Sequence, residues 1–139
     1  LFRGLFGKLL SALNSIPVDP DGTDASSITK ALKVLNAGSP LLVFPEGTRS
    51  PNGSLQAPKR GVGVLALKAK VPVLPARVFG GFEILGRDRR WPSLGKRLTI
   101  AYGPLLPIED LDPGPRTKGR SRQVVETIMS AIEGIEVRT

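Results

Sequence analysis

The residues best equipped for chemistry are Glu46, Gly47, Thr48 and Arg49, inside the run Phe44-Pro45-Glu46-Gly47-Thr48-Arg49-Ser50. Arg49 offers a planar fork of donors suited to carboxylate or phosphate, Thr48 adds a hydroxyl, and Gly47 lets the main chain approach a ligand closely. Such a set describes an anion site. It also suits a plain loop exit, with Glu46 and Arg49 as a solvated ion pair. A second basic pair, Lys59-Arg60, precedes Gly61 and a helix-patterned stretch to Lys68. Amides at that helix start would attract negative charge, though Lys59 and Arg60 equally suit a solvated turn. Glu46 is a poor general base, because an ordinary glutamate titrates near pH ~4.3.

Elements must hold these residues in place. Leu41-Leu42-Val43-Phe44 is an apolar run of strand length that Pro45 would end, so a buried strand is predicted to deliver Glu46 to Arg49 at its carboxyl end. A loop from Pro45 to Pro58 follows, with Asn52-Gly53 as a turn. Val71 to Phe79 reads as an edge or bulged strand, because Pro72 and Pro75 remove ladder donors, and Lys96 to Tyr102 alternates as a further strand. Asp24, Ser26 and Ser27 are candidate caps for a helix carrying Ile28, Ala31, Leu32 and Leu35 on one face and ending near Gly38. A last helix, Ser121 to Gly134, has the stripe Val125, Ile128, Met129 and Ile132. Helix and strand patterns alternate, which predicts an α/β fold with a mostly parallel sheet flanked by helices. Ligands gather beyond the strand ends of such sheets.

Three stretches are less regular. Leu1 to Ile16 spaces Phe2, Leu5, Phe6, Leu9, Leu13 and Ile16 as one face of a helix, which would lie on the core or in a bilayer interface. Gly80 to Gly95 is a predicted loop that, with Lys96 just beyond it, gathers Phe82, Arg87, Arg89, Arg90 and Trp91. It suits a lipid headgroup layer, acyl-donor phosphates, or a solvated loop with Trp91 packed on the core. Pro107 to Gly119 shows no period and carries no assigned chemistry.

The 139 residues include no cysteine and no histidine, which excludes disulfides, thiolate and imidazole catalysis and the usual zinc or iron ligands within this chain. A formal charge of +8 favours an anionic partner. No run approaches the ~20 apolar residues of a membrane span. A rival reading is a nucleic-acid or anionic-membrane binding module that uses the Arg87 to Arg97 cluster and the net charge, although no single-strand or helix-turn-helix signature supports a nucleic-acid partner.

With these residues in view, the sequence resembles the glycerolipid acyltransferases, in particular the 1-acylglycerol-3-phosphate acyltransferase (lysophosphatidic acid acyltransferase) family. Phe44 to Ser50 matches the family's third sequence block, Lys59-Arg60-Gly61 matches its basic residue and glycine before a helix, and Val71-Pro72-Val73-Leu74-Pro75 resembles the fourth block. Leu5-Phe6-Gly7 and Ile16-Pro17-Val18-Asp19 look like the second, although Pro20 stands where the family commonly has an arginine. The resemblance runs from about Leu1 to Pro107. It implies transfer of a fatty acyl group from acyl-CoA or acyl-carrier protein, as co-substrate, to the hydroxyl of a lysophospholipid. It further implies a membrane-associated enzyme on the cytoplasmic face, contacting anionic lipid peripherally, with Glu46, Gly47, Thr48, Arg49, Lys59 and Gly61 binding substrate. The family's catalytic histidine and aspartate, four residues apart, have no counterpart in a chain without histidine. The chain starts at Leu1 and its only methionine is Met129, so residues 1–139 are expected to be the C-terminal portion of a single acyltransferase domain whose catalytic pair lies upstream.

Overall fold

The computed structural model describes residues 15–16, 25–89, 91–112, 114 and 119–137. The chain forms two compact units, Leu1–Leu42 and Val43–Thr139. In the first, α1 (Ala25–Asn36) covers the predicted helix but takes the candidate caps Ser26 and Ser27 into its first turn, and it gives way to Gly38 at φ +76°. Leu1 to Asn14 and the Pro17 to Asp24 segment, including the second-block residues and Pro20, lie outside the described residues.

The second unit holds α2 (Gly61–Ala69), β1 (Ala76–Phe79), α3 (Gly81–Leu85), β2 (Thr99–Tyr102), α4 (Ile108–Leu111) and α5 (Arg120–Glu133). Its core lies where α2 and α4 meet α5: Ala66, Leu111, Val124, Ile128 and Ile132 are buried together, with Leu55, Val73 and Leu106 packed around them. Glycine at position 63 sets how closely α2 and α5 pack, because a Cβ there would lie 1.9 Å from the Ser121 carbonyl oxygen. The predicted last-helix stripe is present. Its most buried residue is Val124, at 0% exposure, one position before the stripe begins.

A mostly parallel sheet is not observed. Among the described residues the only sheet is a two-stranded antiparallel ladder, with Ala76 opposite Tyr102 and Phe79 opposite Thr99, extended by a bridge between Val73 and Leu106. The prolines explain why β1 is shorter than Val71 to Phe79. Pro72 and Pro75 have no N–H to give, so continuous pairing begins only at Ala76. On the inner face, Arg77 Nη1 donates to the carbonyls of Glu133 at 2.7 Å and Ile135 at 3.3 Å, satisfying acceptors at the end of α5.

The predicted buried strand Leu41 to Phe44 is also corrected. These residues have no strand pairing among the described residues, and Leu42, Val43 and Phe44 are 78%, 39% and 63% exposed. An apolar run supplies the means to be a buried strand but not the neighbour it must pair with. No helix among the described residues is long and apolar enough to cross a membrane.

Candidate functional site

Pro45 to Lys59 forms a closed loop. Its neck is drawn shut by the Lys59 N–H donating to the Pro45 carbonyl at 2.7 Å and by the Gln56 N–H donating to Glu46 Oε2 at 2.6 Å. Glu46 is therefore a clamp of the loop. Ser50 organises the tip, donating to the Ser54 carbonyl at 2.7 Å and accepting from the Gly53 N–H at 2.9 Å. Leu55 packs toward the helical core and ties the far side of the loop to it.

Gly47 occupies the left-handed region at φ +65°, which favours glycine. Its bare Cα also makes room for Lys59: a Cβ there would lie 3.1 Å from Lys59 Cγ. The structure thus brings Gly47 and Lys59 together, twelve positions apart in the sequence. Thr48 is exposed beside them, its hydroxyl 3.5 Å from the Arg49 carbonyl, a length that holds it weakly. Gly61 opens α2 with no side-chain cap from Arg60, and the space where its Cβ would lie is empty to 4 Å. Arg60 itself turns aside, donating Nε to Ser121 Oγ at 3.1 Å.

Arg49 reaches in another direction. Its Nη1 and Nη2 donate to the carbonyls of Gly86 at 3.4 Å and Arg87 at 3.2 Å, at the exit of α3. Both bonds are long, and the guanidinium keeps further N–H groups for a ligand. The tie fastens the loop to α3, where Gly53 also meets Phe82: a Cβ at Gly53 would lie 3.3 Å from that ring. Sequence reasoning singles out Glu46 to Arg49 but not their partners Gln56 and the Gly86 and Arg87 carbonyls, nor the Ser50 contacts. For Ser50 the pattern Ser50-x-Asn52-Gly53 was an available turn signal. Nothing in sequence marks carbonyls 37 and 38 positions away.

The loop thus carries Arg49, Lys59 and one carboxylate, Glu46, with Gly47 against the Lys59 stem and Arg49 turned to the exit of α3.

Comparison with known proteins bears on this geometry. A family model described as Acyltransferase matches residues 1–78. The chain is 36% identical over 94 residues to the 1-acyl-sn-glycerol-3-phosphate acyltransferase alpha of Ovis aries, covering 65% of this chain and 32% of that protein. It is 34% identical over 108 residues to the 1-acyl-sn-glycerol-3-phosphate acyltransferase of Bacillus subtilis, covering 75% and 53%. Against the enzyme of the same name from Pseudomonas aeruginosa it is 30% identical over 138 residues, covering 94% and 50%. The chain thus spans between 32% and 53% of the length of these relatives. No solved structure matches it.

Proposed function

This chain belongs to the acyltransferase family, and we propose that it supplies the acceptor-phosphate part of an active site for acylating a lysophospholipid, 1-acylglycerol-3-phosphate in particular. The acyl donor is acyl-CoA or acyl-carrier protein. The acceptor hydroxyl attacks the thioester carbonyl, an ester forms, the carbon–sulfur bond breaks, and the thiol leaves carrying a proton. The names of the relatives support this reading. The observation that carries it is the closed loop, which sets Gly47 and the Lys59 stem beside the uncapped start of α2. Arg49 extends from the same loop.

In this reading Arg49 and Lys59 hold the acceptor phosphate by charge-assisted hydrogen bonds, and the first amides of α2 add to the attraction. Gly47 and Thr48 shape the floor. Glu46, clamped on Gln56, accepts from a glycerol hydroxyl with its second oxygen. The base comes from outside these 139 residues, which contain no histidine. The chain alone therefore binds acceptor without turnover. Acyl transfer by the purified chain, abolished by Glu46→Gln, would overturn that assignment. Titration with lysophosphatidate tests the site: Arg49→Lys keeps the charge but loses the fork, and affinity should fall by about 1–3 kcal/mol. Unchanged affinity would remove Arg49 from it.

For the complete domain we infer a mostly parallel sheet in which Leu41 to Phe44 is a strand, with the protein in peripheral contact with anionic membrane at its cytoplasmic face. Leu42 and Phe44, exposed by 78% and 63%, support the first part, because a run of this length and composition gains most when both faces are covered. Amide exchange at these residues should be fast in this chain and slow in the complete enzyme.

A further inference from the structure

Between Gly86 and Leu98 the sequence carries five basic residues against the single acid Asp88. The fold displays this segment outward. Ser93 N–H donates to the Ile84 carbonyl at 2.7 Å, Arg89 N–H donates to the Gly86 carbonyl at 3.1 Å, and Arg89 Nη1 bridges the Glu83 carbonyl and Ser93 Oγ. These bonds pin the segment at Ser93 and at Arg89, on either side of Trp91. Trp91 and Leu94 are left 83% and 91% exposed. A tryptophan and a leucine held clear of the core cost free energy in water, and an isolated loop could hide the indole by collapsing. Arg87, Lys96 and Arg97, close to them in sequence, are exposed and form no ion pair among the described residues.

We propose that this loop is an interfacial anchor: Trp91 and Leu94 enter the headgroup–acyl boundary of an anionic bilayer while Arg87, Lys96 and Arg97 lie on its phosphates. Tryptophan suits that boundary because its ring is apolar with one polar N–H. Basic side chains beside it add a salt-dependent attraction to anionic lipid. Charge complementarity selects a bilayer over a second copy of this chain, whose +8 charge would repel it. The anchor rests on no assumption about acyl transfer. It gives the proposed membrane contact a specific element, next to the α3 exit that Arg49 holds.

Trp91 is the only tryptophan of the chain, so intrinsic fluorescence reads this loop alone. Vesicles of mixed phosphatidylglycerol and phosphatidylcholine should shift its emission to the blue, whereas pure phosphatidylcholine vesicles should not. The shift should weaken at least tenfold in apparent affinity at about 1 M salt, where the screening length is about 3 Å. Lys96→Glu with Arg97→Glu should lower vesicle affinity about tenfold or more, and Leu94→Ser several-fold with the reporter retained. Lys30→Glu with Lys33→Glu, an equal change of charge in the other unit, should leave the Trp91 shift in place.

The proposal fails if the chain sediments with anionic vesicles while Trp91 emission stays unmoved, or if neutral vesicles shift it equally. It also fails if the Lys30 and Lys33 pair matters as much as the loop pair, or if soluble coenzyme A or acyl-carrier protein gives the same shift without vesicles. Glycerol 3-phosphate binding by the Lys96→Glu, Arg97→Glu variant separates this loop from the acceptor site. That binding should persist, and its loss would show that the substitutions had damaged the acceptor site and not a separate anchor.

Discussion

Where α2 crosses α5, a methyl group at Gly63 would lie 1.9 Å from the Ser121 carbonyl oxygen. On the outer face of the β1/β2 ladder, Val78, Ile100 and Tyr102 stand 46%, 51% and 64% exposed. The two regions belong to the same unit, and both are built from apolar residues. In the first, Ala66, Val124 and Ile128 are buried and Gly63 leaves no room for a side chain. In the second, register places Val78 opposite Ile100 on one side of the ladder, while the opposite side meets the end of α5 through Arg77. These three side chains share one face of the ladder and are roughly half open to water. The difference teaches that the stability of this unit rests on its helical core and little on the outer face of the hairpin.

Substitutions should therefore hurt in proportion to this closure. Gly63→Val should be the most damaging, by about 3 kcal/mol, because main chain and not a flexible side chain blocks the new atoms. Denaturant unfolding gives the number, and a loss under about 1 kcal/mol would mean the helices separate easily. Val124→Ala, at a fully buried site, should cost about 2 kcal/mol. On the open face, Ile100→Thr should stay within about 0.5 kcal/mol in this chain. A core-sized loss there would show that the hairpin's outer face is already covered.

The smallest effect concerns acid. Arg120 Nε donates to Asp112 Oδ1 at 2.8 Å, and this hydrogen bond, ahead of a lesser opposing desolvation, holds the Asp112 carboxyl below its ordinary value. A depressed carboxyl stabilises the fold above its unfolded pKa of about 3.9 and loses that contribution as pH falls through the lower folded value. Asp112→Asn should flatten the acid end of a plot of Tm against pH between about 5 and 2. An unchanged slope would show that the contact between α4 and α5 does not depend on this charge.

The same contrast explains what was legible in the sequence. The last helix and α2 were found nearly to the residue, because a period of 3.6 is written in the chain itself. Val124 escaped the stripe because α5 is contacted by both α2 and α4, so its buried face is wider than one row. The helices Gly81–Leu85 and Ile108–Leu111 are too short to show a period. Leu41 to Phe44 is unpaired among the described residues for a different reason: composition favours cover, while pairing depends on a neighbour. At the site, residue chemistry pointed to Glu46 through Arg49 and to Lys59 and Gly61. The wiring was invisible, since Glu46 to Gln56 and Arg49 to Gly86 are contacts created by how the loop closes.

Comparing thermal stabilisation by glycerol 3-phosphate and by sulfate, in this chain and in Arg49→Lys, tests the acceptor site most directly. A shaped phosphate-and-glycerol site raises Tm more with glycerol 3-phosphate than with equal sulfate, and the variant loses most of the difference. Equal stabilisation by both anions, or a difference that survives in Arg49→Lys, would contradict it.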